Sequence, residues 1–191
     1  MRSSLRLLAP LWLAGAVAAQ PIERILAVVD GSAVLLSEVH AYAQVQRVAP
    51  EAALEALIDE QLMLREAARL PESAPTPQQA TAALADLVAR LDDAQHAALD
   101  EGVLRRLSLR QATILKYVVL RFQPQVRVTE EDLRQAYEAE YGGRASPPAF
   151  DEVSASIAGR LERRALDLRI EAWVAELREA ASVRYNPEPR P

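Results

Sequence analysis

The side chains that could do chemistry in this chain are few and scattered. There is no cysteine, which removes thiol nucleophiles, disulfides and lipid attachment through a cysteine. The two histidines, His40 and His96, fall in different predicted helices, and neither has a neighbour at metal-ligand spacing. Both read as surface residues, so neither a metal ligand set nor a catalytic residue is assigned. No G-x-S-x-G elbow surrounds a serine, and no glycine-lysine phosphate loop is present. An enzyme is not expected, and neither is a nucleotide cycle or a cofactor. Carboxylates gather at Glu130-Glu131-Asp132, but negative charge is favoured in the first turn of a helix, and capping explains the trio better than acid–base catalysis. Arg160, Arg163, Arg164 and Arg169 interleave with Glu162, Asp167 and Glu171, the pattern of a solvated helix face with internal ion pairs. Contact with acidic clients is the alternative.

What remains is apolar recognition. Trp173 lies on the apolar stripe of a long predicted helix, where core packing is the favoured role and client binding the alternative. Tyr42 and Met63 have side chains suited to an adaptable apolar groove, with ordinary burial as the competing reading.

These residues are carried by a predominantly helical pattern. Ile25 to Val29 and Val34 to Leu36 are apolar runs separated by Asp30-Gly31, a dipeptide that supplies the positive dihedrals of a two-residue hairpin turn. Ser37 is the expected cap of a following helix over Glu38–Val48. Pro50 opens a second helix in which Leu54, Ile58 and Leu62 share one stripe, with Glu51, Glu55, Asp59 and Glu60 mostly off it. Residues 71–77 read as a linker, and Thr76-Pro77 as the cap and first turn of a helix to about Leu91. A brief helix capped by Asp92 or Asp93 is expected to end at Gly102. A longer one carries Leu104, Leu107, Ile114 (or Leu115), Val118 and Phe122 and stops at Pro124. Within it Lys116 to Leu120 alone resembles a strand, but the flanking periodicity favours a helix. Thr129 and Asp132 form a capping-box pair. After a break over 142–148, a helix runs from Phe150 or Asp151 to about Ala181, with Trp173 and Leu177 expected to face Leu54, Ile58 and Leu62. Val183 to Tyr185 can supply a third strand, because a two-stranded hairpin is barely stable alone.

Arg2 and Arg6, the apolar run Leu7 to Ala19 and the small residues Ala16-Val17-Ala18-Ala19 read as a cleaved export signal over 1–19. The chain carries 22 basic and 27 acidic residues, net −5; without Arg2 and Arg6 the balance is 20 against 27. That acidity argues against nucleic-acid partners, and no later segment is long and apolar enough to span a bilayer. The expected organisation is one domain over 20–186, formed by 20–141 and a C-terminal helix and strand over 149–186, followed by a tail over 187–191.

The ordered set Ile25-Leu26-Ala27-Val28-Val29-Asp30-Gly31, then Val34-Leu35-Leu36-Ser37-Glu38-Val39, Leu54 to Leu64, Val126 to Leu133 with Tyr137-Glu138, Phe150 to Val153, Trp173 to Arg178 and Val183-Arg184-Tyr185 resembles the chaperone region of SurA-like periplasmic folding factors, with the related PrsA and PpiD groups further off. In that family a parvulin prolyl-isomerase domain stands between the counterparts of the Thr129 and Phe150 helices. Here residues 142–148 join them directly. The resemblance implies a mostly α SurA-like core, a helical bundle whose N-terminal β-hairpin is joined by a C-terminal strand. It also implies a periplasmic, ATP-independent holdase for unfolded or partly folded envelope and outer-membrane proteins, without isomerase activity. The alternative is a structural or assembly module that binds one dedicated partner or forms a homodimer.

Overall fold

The computed structural model describes residues 23–186; the expected signal segment and the 187–191 tail lie outside them. The fold is mostly α with one small antiparallel sheet. Strands β1 (Ile25–Val29) and β2 (Ser32–Leu35) form the hairpin. Asp30 and Gly31 have φ of 47° and 90°, the two positive dihedrals that this short turn requires. The chain continues through α1 (Leu36–Gln46), α2 (Pro50–Ala67), α3 (Pro77–Val88), α4 (Asp93–Ala98), α5 (Glu101–Arg121), α6 (Glu130–Tyr141) and α7 (Phe150–Ala180) to β3 (Val183–Tyr185). The sheet order is β2-β1-β3, so the expected third strand closes the sheet from the far end of the chain.

Local signals set several helix starts. Thr76 with Gln79, Asp92 with Gln95 and Thr129 with Asp132 form reciprocal capping boxes at α3, α4 and α6. The hydrogen bonds from Thr129 hold the Asp132 carboxyl below its ordinary pKa. Three expectations are corrected. Helix α1 begins at Leu36, and Ser37 is not its cap. Instead the Glu23 carboxylate, fourteen residues upstream, accepts from the Ser37 amide at 3.2 Å and from its hydroxyl at 2.7 Å. Gly102 does not end α4; it lies in the first turn of α5, whose cap is Asp100 accepting from Val103 N–H. The 71–77 linker contains a 3-10 turn at Pro71–Ser73, pinned by the buried Ser73 hydroxyl donating to the Ala67 carbonyl at 2.6 Å.

The main core gathers the inward faces of the sheet, α1, α2, α3 and α5. Leu57, Ile58, Leu62, Leu104 and Leu107 are fully buried at its centre, and Leu177 of α7 packs on its edge. A second cluster joins Ile114, Val118 and Phe122 of α5 to Met63 and Leu64 of α2 and to Leu166, Ile170 and Trp173 of α7. Trp173 therefore does not face Leu54, Ile58 and Leu62 as expected. Leu177 reaches that core, and Trp173, one turn earlier, lies over the other cluster.

At 31 residues and about 1.5 Å per residue, α7 is roughly 46 Å long. Its C-terminal half covers α2 and α5, while its N-terminal half pairs with α6 as an arm. Ile157, the only buried residue of α7, sits beside Ala136 and Ala139. Tyr137 packs on Tyr141 and Phe150 and donates to the Pro148 carbonyl at 2.7 Å, which closes the short α6–α7 turn. The arginines of α7 also depart from the internal pairing expected. Arg160 pairs with Glu140 of α6, and Arg169 donates to Gln125. Among the described residues no helix is long and apolar enough to cross a membrane.

Truncation after Ala165 removes β3, the Leu177 contact and the α7 half of the second cluster. Burial of each large apolar side chain contributes roughly 1.5–3 kcal/mol, so the loss is comparable to a whole domain's stability. The truncated chain is expected to lose its cooperative urea transition. Cooperative unfolding near the parent midpoint would make the C-terminal half of α7 a mere appendage.

Candidate functional site

An open groove with a largely apolar lining lies between α3 and α5. Helix α3 runs antiparallel to α5 and turns Leu84, Leu87 and Val88 into the core, which leaves Gln79, Ala82, Ala83 and Asp86 along a groove. The opposite wall is Ser108, Gln111, Ala112, Leu115, Lys116 and Val119 of α5. The alanines on both walls leave the space between the helices unfilled, and it is about 570 Å³. From Ser108 to Val119 the wall is roughly 16 Å long at helical rise, room for about five extended residues. Lys116 fixes one end by donating to the Ala74 carbonyl at 2.7 Å. Leu115 is 64 % exposed and Val119 44 %, and Leu109 and Leu120 of the same helix are also exposed. Half of the eight exposed large apolar side chains among the described residues thus lie on α5.

Behind this groove is a buried polar seam. Glu38 of α1 pairs with Arg110 of α5 at 3.1 Å, both nearly excluded from solvent, with the more exposed Arg106 at 3.6 Å. Glu60 of α2 is 8 % exposed, although the sequence pattern placed it off the apolar stripe. One of its oxygens accepts from Gln111 Nε2 at 3.0 Å; the other, Oε2, is buried without a hydrogen-bond partner, as are Nε and Nη1 of Arg110. Burial pushes the Glu60 carboxyl up to about 7, against the opposing influence of the Gln111 hydrogen bond and the Arg110 charge.

No protein-family model, curated protein or solved structure matches the chain.

The three residues singled out from the sequence are not one site. Met63 and Trp173 meet in the second cluster, where Trp173 stacks on Tyr117 with ring centroids 5.2 Å apart and tilts against Phe122 at 5.1 Å. Trp173 is half-buried and also lines a shallow, largely polar-rimmed hollow with Leu168, Arg121 and Arg169. Tyr42 lies apart, packed on the main core; burial and the nearby Glu60 and Asp59 charges push its hydroxyl up to about 12. His40 and His96 are exposed on separate helices, and among the described residues no three His, Asp or Glu side chains converge as metal ligands would. The α3–α5 groove was missed. Its signal was the apolar run Ile114 to Leu120, richer than one buried face needs: Ile114 and Val118 fill the second cluster while Leu115 and Val119 face the groove.

Glu60 makes stability pH-dependent. Its carboxyl titrates near 7 when folded against 4.5 as its ordinary value, so the folded state binds the proton more tightly. The stabilisation is complete below about 4.5 and is lost as pH rises through about 7, with an amplitude of at most about 3 kcal/mol. The thermal midpoint of the parent is expected to fall over this window relative to Glu60→Gln. Parallel pH profiles of the two proteins in calorimetry would contradict the assignment.

Proposed function

We propose that the protein is an exported, periplasmic, ATP-independent holdase that binds extended apolar segments of unfolded or partly folded envelope proteins, without prolyl-isomerase activity. The observation that carries the reading is the open α3–α5 groove, an apolar trough with two large side chains, Leu115 and Val119, left to solvent. The resemblance to SurA-like factors supports it from the sequence side, and the direct α6–α7 turn supports the absence of an isomerase domain at that position.

The magnitudes suit a holdase. Covering the exposed parts of Leu115 and Val119 contributes about 2–3 kcal/mol in all, and a client's own apolar side chains add a similar amount before ordering costs are met. The result is weak, reversible capture, which withholds a chain from aggregation without trapping it. The groove offers few oriented polar groups, so it selects apolar character rather than one sequence.

The protein is expected to suppress aggregation of several unrelated denatured proteins at modest molar excess, and Leu115→Glu with Val119→Glu is expected to abolish most of that effect while leaving the unfolding transition in place. Suppression confined to a single partner, or a protein inert towards all of them, would favour a dedicated assembly module.

A further inference from the structure

We propose that the buried Glu38–Arg110–Glu60 seam is a proton-operated switch that regulates the α3–α5 groove through Gln111, an inference that rests on the holdase reading of that groove. Two carboxylates, Glu38 from α1 and Glu60 from α2, flank one buried guanidinium from α5. As the seam stands, Arg110 spends Nη2 on Glu38 and leaves Nε and Nη1 without partners, while Glu60 Oε2 is an acceptor without a donor. Free donors and a free acceptor on neighbouring buried side chains describe one arm of a two-position device. When Glu60 is protonated, Arg110 belongs to Glu38. When Glu60 is ionised, an uncompensated buried charge draws the unused Arg110 donors towards Oε2, because leaving such a charge unpaired is costly.

The groups facing Glu60 act in both directions: the Glu38 charge opposes its ionisation, while the Gln111 hydrogen bond and the Arg110 charge favour it. From α1 come Tyr42 and Glu38, from α2 Asp59, and from α5 Arg110 and Gln111, with Arg106 on the solvent side of Glu38. The 3.0 Å bond from Gln111 to Glu60 is the link to the groove, since Gln111 is also part of the groove wall. Arg110 and Gln111 both act on Glu60, so a move of Arg110 towards that carboxylate bears on the Gln111 bond and through it on the wall. Ionisation transfers Arg110 from Glu38 towards Glu60 and so loosens the α1–α5 side of the seam, lets α5 yield to an incoming segment, and favours client capture above the Glu60 midpoint. The titration of Glu60 near neutrality puts the switch within reach of ordinary environmental pH.

The test measures binding of a fluorescent, permanently unfolded carboxymethylated protein at about pH 5 and about pH 8.5, on either side of the Glu60 midpoint, together with the Gln111 side-chain amide signal by NMR. The parent is expected to bind roughly fivefold or more tightly at the higher pH, a typical coupling between two sites. Glu60→Gln retains both histidines and is expected to bind with a ratio near one. Gln111→Met breaks the link while leaving Glu60 to titrate, and its ratio is also expected to collapse. Equal parental affinity at both pH values, or a full ratio retained in either variant, overturns the switch. If the parent captures no client at either pH, the holdase reading fails, and the Gln111 signal decides the switch alone: a midpoint near 7 that vanishes in Glu60→Gln supports it, and a flat titration overturns it.

Discussion

The pairing of β1 with both ends of the chain is the constraint on which the rest of the molecule depends. Strand β1 takes β2 on one side through a two-residue turn and β3 on the other after more than 150 residues of intervening chain. The turn residue is also a clasp. The Asp30 amide donates to the Ser182 carbonyl at 3.0 Å, its carboxylate accepts from the Ser182 amide at 2.9 Å, and Arg65 of α2 pairs with the same carboxylate. Arg178 extends the clasp by bonding Asp59 and Glu55, which raises its pKa further, chiefly through the Asp59 hydrogen bond, and Tyr185 donates to Glu55 at 2.9 Å. Exposed ion pairs contribute little one at a time, but here several fix the same return of the chain.

With the end of α7 fixed there, its length decides the remaining shape. A helix of 31 residues cannot be covered by a core built on α2 and α5, so its first half extends beyond them and recruits α6 as its only apolar cover. The same economy explains α5. This helix meets the main core through Leu104 and Leu107, the second cluster through Ile114 and Val118, and the polar seam through Arg110, and its fourth aspect forms the groove. Groove and seam lie on different aspects of one helix, and Gln111 borders both.

Features governed by neighbours in sequence were legible. The Asp30-Gly31 hairpin and the caps at Thr76, Asp92 and Thr129 need only a few consecutive residues, and the third strand followed from the instability of a lone hairpin. Features governed by tertiary placement were not. Ser37 has the chemistry of a cap, but the earlier start of α1 at Leu36 hands that role to Glu23. Trp173 and Leu177 share one face of α7 a single turn apart, yet they meet different clusters because the surface that α7 crosses changes along its axis. Glu60 read as lying off the apolar stripe, and nothing local marked Glu38 or Arg110 as its buried neighbours. The groove needed the packing of α3 against α5, which no local pattern reveals; only the excess of apolar residues over 114–120 hinted at it.

The central claim is that α5 presents a client-binding wall to the α3 groove, and photo-crosslinking tests it most directly. A photoreactive residue is placed singly at position 83, 115 or 119 in the groove, at 168 beside Trp173, and at 139 on the α6 arm, and each protein is irradiated with an unfolded envelope protein. The account predicts strong adducts from 83, 115 and 119, and little from 139 or 168. Adducts concentrated at 168 or 139, with the groove positions silent, would contradict it.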